Sequence, residues 1–303
     1  NGVIIFAVFL SIFAAIRPLI LQGTVDTYIK PKDNYGLLIY VTLMGITLLL
    51  EVVSQFFFVY WANWLGQDII KDIRNKMFKH ILSFKMKYFD NVPVGQIVTR
   101  SVSDIEAIAR IFSQGLFMIA SDLMKMAVCL IIMFWMNWQL SFIVVLAMPI
   151  LVFFTRIFQK KMQVAFEEVR AQIANINTFV QERVTGMKIV QLFNREDIEF
   201  EKFKTINQKH NKAWIKTILY NSIFFPIADI ISSLTLAFIL LYGGLQIING
   251  NTFTTLGQMT AYTMFIGMLF NPLRQIADKF NEMQLGMIAA NRVFDIIDTE
   301  EEV

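Results

Sequence analysis

The residues best placed to do chemistry in this 303-residue chain are ionisable side chains set inside long apolar runs. Arg17, Glu51, Asp122, Lys125 and Asp229 stand within such runs, and Arg274 and Asp278 stand at the edge of another. A charge in that setting is costly. It usually faces a protein interior or a wet cavity, where it can pair, pass a proton or hold a polar group of a ligand. Asp122 and Lys125 are three residues apart, so one helix face would present both, either as a structural ion pair or as a polar point in a pathway. Glu51, with Gln55 one turn later, marks a polar stripe suited to a central cavity. Asp229 follows Pro226; Pro18, Pro149, Pro226 and Pro272 can each kink a helix, which suits helices that bend and also helices that merely pack.

Other kinds of chemistry are missing from these residues. No G-x-x-x-x-G-K-[ST] phosphate loop occurs, and none of the 14 Gly residues precedes a Lys. His80 and His210 are separated by two apolar runs and read as solvated helix-face residues. Cys129, the single cysteine, lies in an apolar run and reads as a small packing residue. No metal cluster and no nucleophile–base set is legible, so the expected catalytic and metal residues are none, and these residues do not form an enzyme by themselves.

The elements that hold these charges follow from composition. The chain is 56% hydrophobic and only 17% charged, where a soluble domain carries about 25% charged residues. The apolar excess is too large for one compact core, and 27 basic with 24 acidic residues are too many for a chain wholly in lipid. Six stretches reach the roughly 20 residues a bilayer-spanning helix needs: about 3–21, 37–65, 115–138, 140–157, 219–248 and 256–273. They are continuously apolar rather than alternating, which predicts α-helices and not a β-barrel. The first lacks a basic leader and a cleavage site, so it is not a signal peptide. The chain begins at Asn1 without Met, and a segment upstream is expected.

The connections sort the charge. Three are short, 22–36, 137–139 and 249–255; two are long and polar, about 66–114 and 156–218. The long ones carry 20 of the 27 Lys and Arg, while the short ones hold two, Lys30 and Lys32. Short and long alternate, so each kind lies on one side of the membrane, and the basic excess puts the long ones in the cytoplasm. The expectation is a multi-pass integral protein of the plasma (inner) membrane with both termini cytoplasmic. A net charge of +3 is too small to suggest nucleic acid.

The long connections are helical in pattern. Residues 155–185 contain no Gly or Pro, and Val169, Ile173, Ile176, Val180, Val184 and Met187 form one stripe. A second helical stretch, 200–220, returns to the fifth span; in the first connection, 67–83 leads outward and 95–114 leads back. Two hairpins therefore project from the membrane. The first tip reads Lys87-Tyr88-Phe89-Asp90-Asn91-Val92-Pro93-Val94-Gly95, the second Leu192-Phe193-Asn194-Arg195-Glu196-Asp197. Their aromatics either pack locally in the turn or plug into a partner, since aromatics in pockets are common interface anchors.

In these residues the chain resembles the membrane domains of ATP-binding-cassette exporters of the type IV fold, such as bacterial multidrug and lipid A exporters. Tyr88-Phe89-Asp90, Gly95 to Arg100 and Asp104 look like that family's first intracellular loop. Glu182-Arg183, Gly186, Ile189 to Phe193, Glu196, Glu199 and Phe203 look like its second, and Ala290 to Asp298 like the end of its sixth helix. The resemblance implies an all-α domain-swapped dimer, homo- or heteromeric, in which the fourth and fifth helices cross to the partner. It implies coupling helices at Tyr88, Phe89 and Asp90 and at Phe193, Asn194, Arg195 and Glu196. These would dock on ATPase domains that bind ATP and Mg. The usual N-terminal elbow helix and C-terminal nucleotide-binding domain are not within these 303 residues.

The sixth helix borders the pathway in that family, which makes Met264, Phe265, Met268 and Phe270 plausible liners beside Glu51, Gln55 and Asp229; packing or lipid contact is the alternative for each. The expected function is ATP-driven export of amphiphilic drugs or lipids by alternating access. An ion-driven secondary carrier would account for the buried acids but needs neither hairpin, and no inverted repeat is legible. A regulatory or channel-like subunit on the same fold is the third possibility.

Overall fold

The computed structural model describes residues 2–29, 34–250 and 254–299, with side chains throughout except at 113, 114, 276–282 and 285. Lys30, Lys32 and residues 300–303 lie outside the described residues, as does the side chain of Asp278. The chain folds as two units, Asn1–Leu146 with Thr235–Val303, and Ala147–Leu234.

Every described element is helical. Among the described residues, five helices are long and apolar enough to cross a membrane. They are α1 (Gly2–Gly23, carried on by a π-helical turn, Thr24–Ile29), α2 (Asn34–Ile81), α6 (Phe117–Met136), α7 (Trp138–Thr185) and α9 (Glu196–Ile248). The last long helix, α10 (Leu256–Ile297), runs 42 residues, its apolar stretch broken by Gln258, Thr260, Thr263 and Asn271. At 1.5 Å per residue, α2, α7 and α9 are about 70 to 80 Å long, more than twice the roughly 30 Å hydrocarbon layer. Each therefore has to continue well beyond the membrane.

Unit 1 is held together by small residues facing large ones. On α1, Ala7, Ser11, Ala14, Ala15 and Pro18 fall on one face and are buried, which lets neighbours approach closely. On α10, Tyr262, Phe265, Leu269 and Phe270 are fully buried, and on α6 Met126, Cys129 and Met133 fill the facing positions. Between α2 and α6 the chain is a series of short helices: α3 (Met86–Asn91), α4 (Val94–Thr99) and α5 (Ile105–Arg110). π-helical turns at Arg100–Asp104 and Ile111–Leu116 join them onward to α6. Such turns insert an extra residue per turn and shift which side chains face inward. The return limit of the first hairpin is thus helical but repeatedly re-registered.

At the end of unit 1 holding the Asn137 turn, a polar network closes the helix ends. Asn137 is extended, which breaks the chain between α6 and α7. Its Oδ1 then caps α7, accepting from the amides of Gln139 (3.1 Å) and Leu140 (3.2 Å), while its Nδ2 donates to Thr254 Oγ1 (3.0 Å). Thr254 donates to Gln246 Oε1, and the Tyr262 hydroxyl sits 2.7 Å from Ser141 Oγ. Thr255 caps α10 by accepting from the Gln258 amide, and Asp26 accepts from the Thr255 hydroxyl and from the Gly257 amide (2.9 Å). The Asp26 carboxylate meets the positive end of the α10 dipole. A side chain at Gly257 would collide with the Gln22 carbonyl and the Asp26 carboxylate, so glycine is required there.

Unit 2 is a helical hairpin made of α7 from residue 147 onward and α9 as far as residue 234. Phe158–Phe224, Phe166–Trp214, Phe179–Phe203, Glu168–Lys216 and Arg183–Glu199 all meet across it. Their sequence midpoints fall on residues 190–192, the mark of an antiparallel pair folded about that point. Ala165, Val169, Ala213, Thr217 and Ala228 are buried along the seam, and their small size permits close packing of the two helices.

Candidate functional site

The second tip is built by backbone geometry. Gly186 follows Thr185 and ends α7; α8 (Met187–Leu192) follows, with Phe193 as its C-cap. Asn194 has φ +48°, the left-handed conformation that asparagine tolerates better than most residues. The Asn194 amide donates to Gln191 O (3.1 Å) and the Arg195 amide to Val190 O (3.0 Å), the paired bonds of a Schellman stop. Arg195 then caps α9 through its carbonyl, which accepts from the Glu199 amide. Glu196, Asp197 and Glu199 in the first turn suit the helix dipole.

Charge clamps this turn. Glu199 accepts from Lys202 Nζ (2.8 Å) and from Arg183 Nε on α7 (2.5 Å), and Arg195 Nε lies 3.8 Å away. The Lys202 ammonium first, with the Arg183 guanidinium, holds the Glu199 carboxyl below the usual carboxylate range. Arg183 in turn lies over the Phe179 ring at 4.9 Å. Further along the hairpin Glu168 pairs with Lys216 at 2.9 Å and raises the lysine above its ordinary value. Leu192 and Phe193 are left outside this clamp, 78% and 66% exposed. Asn194, Arg195 and Glu196 surround them and are exposed as well.

The first tip is different. Tyr88 and Phe89 are half-buried against a cluster of Ile70, Met77, Ile81, Phe84, Ile97, Ile105 and Ile108. Val293 and Ile296 from α10 complete that cluster. The rings of His80, Phe84 and Tyr88 follow one another at 4.9 and 4.3 Å. At this tip the aromatics pack into the turn, and Met86, Lys87, Asp90, Asn91 and Val94 are among the residues it exposes.

Among the intramembrane candidates, Glu51 meets Arg17, with Arg17 Nη1 3.2 Å from Glu51 Oε2. Sequence reading singled out both residues but did not join them, because they lie on different helices. Gln55 lines an open groove of about 720 Å³ on one face of α2, with Phe56, Tyr60, Asn63 and Trp64. Phe265 and Phe270 are fully buried in unit 1, whereas Met264 and Met268 are half-buried. Asp122 and Lys125 both lie on α6, and Asp229 is exposed on α9 in unit 2. Two contributors escaped sequence reading, Asp26 and the Glu199 clamp. The Thr255-x-x-Gln258 spacing of a capping box was the one local signal for the α10 start. No group of three metal-ligating side chains occurs among the described residues.

Long apolar helices that overrun the bilayer and fold back at two structured tips define a membrane transport domain. The ABC transporter transmembrane region matches residues 2–273, and the chain belongs to that family. It is 26% identical over 243 residues to the ABC transporter ATP-binding protein YknV of Bacillus subtilis, covering 80% of this chain and 40% of that protein. It is similar to two proteins named ATP-dependent lipid A-core flippase. That of Desulfotalea psychrophila is 27% identical over 307 residues, 97% of this chain and 53% of the relative. That of Syntrophus aciditrophicus is 26% identical over 236 residues, 78% and 39%. The chain thus spans about two fifths to one half of the length of the curated relatives it matches.

Proposed function

We propose that this chain is the membrane domain of an ATP-driven exporter that moves amphiphilic drugs or lipids by alternating access. The observation that carries the reading is the second tip. A left-handed stop and a three-cation clamp on Glu199 hold Leu192 and Phe193 in the open, at the end of helices far longer than a membrane requires. A preformed apolar knob on a charged collar suits insertion into a protein groove, because little ordering entropy remains to be lost on docking. The partner is an ATPase domain, which would hold ATP and Mg with its own residues. The basic excess on the two hairpins supports a cytoplasmic position for both tips and both termini. α10 serves as the sixth span, and a second membrane domain, from the same or a different chain, completes the pathway. Phe193, Asn194, Arg195 and Glu196 form one coupling element, with Tyr88, Phe89 and Asp90 in the other.

The names of the flippase relatives support a lipid-like substrate, as do the aromatic and amide side chains along the Gln55 groove. The pairing of Glu51 with Arg17 weakens the case for an ion-driven carrier, since that acid has a structural role. The test is reconstitution of the full-length protein in liposomes. Expected is ATP hydrolysis stimulated by a fluorescent lipid or cationic amphiphile, together with ATP-dependent movement of that probe. Movement driven by an ion gradient without ATP would establish a carrier instead, and ATP hydrolysis without movement of any probe would mark a regulatory subunit.

A further inference from the structure

The first tip and the end of α10 share more than a family position. Ala290, Val293, Ile296 and Ile297 sit in the same apolar cluster as Phe84, Tyr88, Phe89 and Val92. Three further contacts tie them. His80 Nε2 lies 3.0 Å from the carbonyl of Thr299, 219 residues away in sequence. Asp104, only 9% exposed, has Oδ1 4.0 Å from Arg292 Nη1, and its buried Oδ2 has no hydrogen-bond partner among the described residues. A buried carboxylate is tolerated when a cation answers it, and Arg292 on α10 does so. Finally, Gly286 brings α10 onto the backbone of the returning hairpin. A Cβ there would stand 2.1 Å from Ile111 Cγ1 and 3.0 Å from the Ala107 carbonyl. Gly115 makes the reciprocal approach, where a Cβ would come within 2.8 Å of Met283 Cγ.

Close-packed interiors transmit displacement rather than absorbing it. We propose that the first tip and the outgoing end of α10 are one rigid lever, and that His80, Asp104, Arg292 and Gly286 are the positioning residues that lock it. A force applied at Tyr88–Phe89 reaches Thr299 through Phe84 and His80. It reaches Val293 and Ile296 through Ile97, Ile105 and Ile108. The first tip therefore reports the position of α10 directly, while the second tip within its own unit is bound only by its turn and its clamp. The inference rests on the exporter reading for its purpose but not for its geometry.

Spin labels at Lys87→Cys and Asp295→Cys, in a Cys129→Ala background of the full-length protein in lipid nanodiscs, test it. The label–label distance is expected to be narrow and unchanged between the nucleotide-free state and the state trapped with ATP and vanadate. Asp104→Ala and Arg292→Ala, the latter at a half-exposed position, are each expected to broaden the distribution, and the double variant to broaden it no further. A parental distance that shifts with nucleotide, or variants that leave the width untouched, would overturn the lever. A second label pair, Lys87→Cys with Lys188→Cys, reports whether nucleotide moves anything. If that distance is insensitive to ATP, the exporter reading fails, while the width of the first pair still decides the lever.

Discussion

Tyr88 and Phe89 at one tip pack onto the apolar cluster that also holds the end of α10, whereas Leu192 and Phe193 at the other stand in the open on a turn made by backbone bonds and ions. Both tips join long helices, and both offer two apolar residues beside acidic and basic neighbours. The difference lies in what each tip costs to hold. The first is stabilised by burial, so its order scales with apolar area removed from water. The second buries little. Its order comes from one left-handed residue, two Schellman hydrogen bonds and the salt bridges of Glu199. A tip held by packing moves with what it packs on; a tip held by its own turn keeps its shape and leaves its apolar side chains free for something else.

The contrast can be broken hardest at Gly286. Gly286→Leu would drive a side chain into Ile111, a clash at or above the ~3 kcal/mol end of overpacking costs. The expected outcome is a large fall in the melting temperature of the purified protein, with proteolytic accessibility of the second tip unchanged. Next, Phe84→Ala removes a buried ring at the centre of the first cluster and is expected to cost about 3–5 kcal/mol. Phe193→Ala, at an exposed position, is expected to change stability by no more than about 0.5 kcal/mol. Comparable losses in urea unfolding for the two would erase the distinction.

Acid sharpens it from the other side. The Glu199 carboxyl is held below its ordinary value of 4.5 by Lys202 and Arg183. Its folded-state pKa is thus depressed, so its contribution is complete above about 4.5 and is lost as pH falls through the lower folded value. Amide exchange at residues 190–199 should stay slow at neutral pH and accelerate only in stronger acid, after correction for intrinsic rates. Glu199→Gln should weaken protection at pH 7 and remove that acid step, while the first tip is unaffected by the change. The smallest effect belongs to Asn194. Asn194→Gly is expected to leave tip exchange nearly as in the parent, and Asn194→Val to speed it, because a β-branched residue resists positive φ.

Much of this was legible beforehand for physical reasons. Thirty-one residues without Gly or Pro, ended by Gly186, announce a helix and its stop, and α7 ends at Thr185. Composition and run length alone give an all-helical membrane chain. The surroundings of the tip aromatics were not legible, because aromatics in a turn look alike in sequence whether or not a distant element covers them; Val293 and Ile296 come to Tyr88 from the other end of the chain. Glu51 and Arg17 stood out as costly charges, yet their pairing depends on how α1 and α2 turn toward each other. The 95–114 stretch reads as one helix, but its π-helical turns reflect packing against α10. Asp26 gave no signal, since an acid just past the end of an apolar run caps another helix only when the α10 N-terminus is brought to it.

The central claim is that the exposed second tip couples this membrane domain to an ATPase. The direct measurement is the number of probe molecules moved per ATP hydrolysed by full-length Phe193→Ala in liposomes. The account predicts that hydrolysis continues and membrane insertion is normal while probe movement falls by about tenfold or more, the loss of roughly 1.4 kcal/mol of docking. A variant that moves probe at the parental ratio would contradict it.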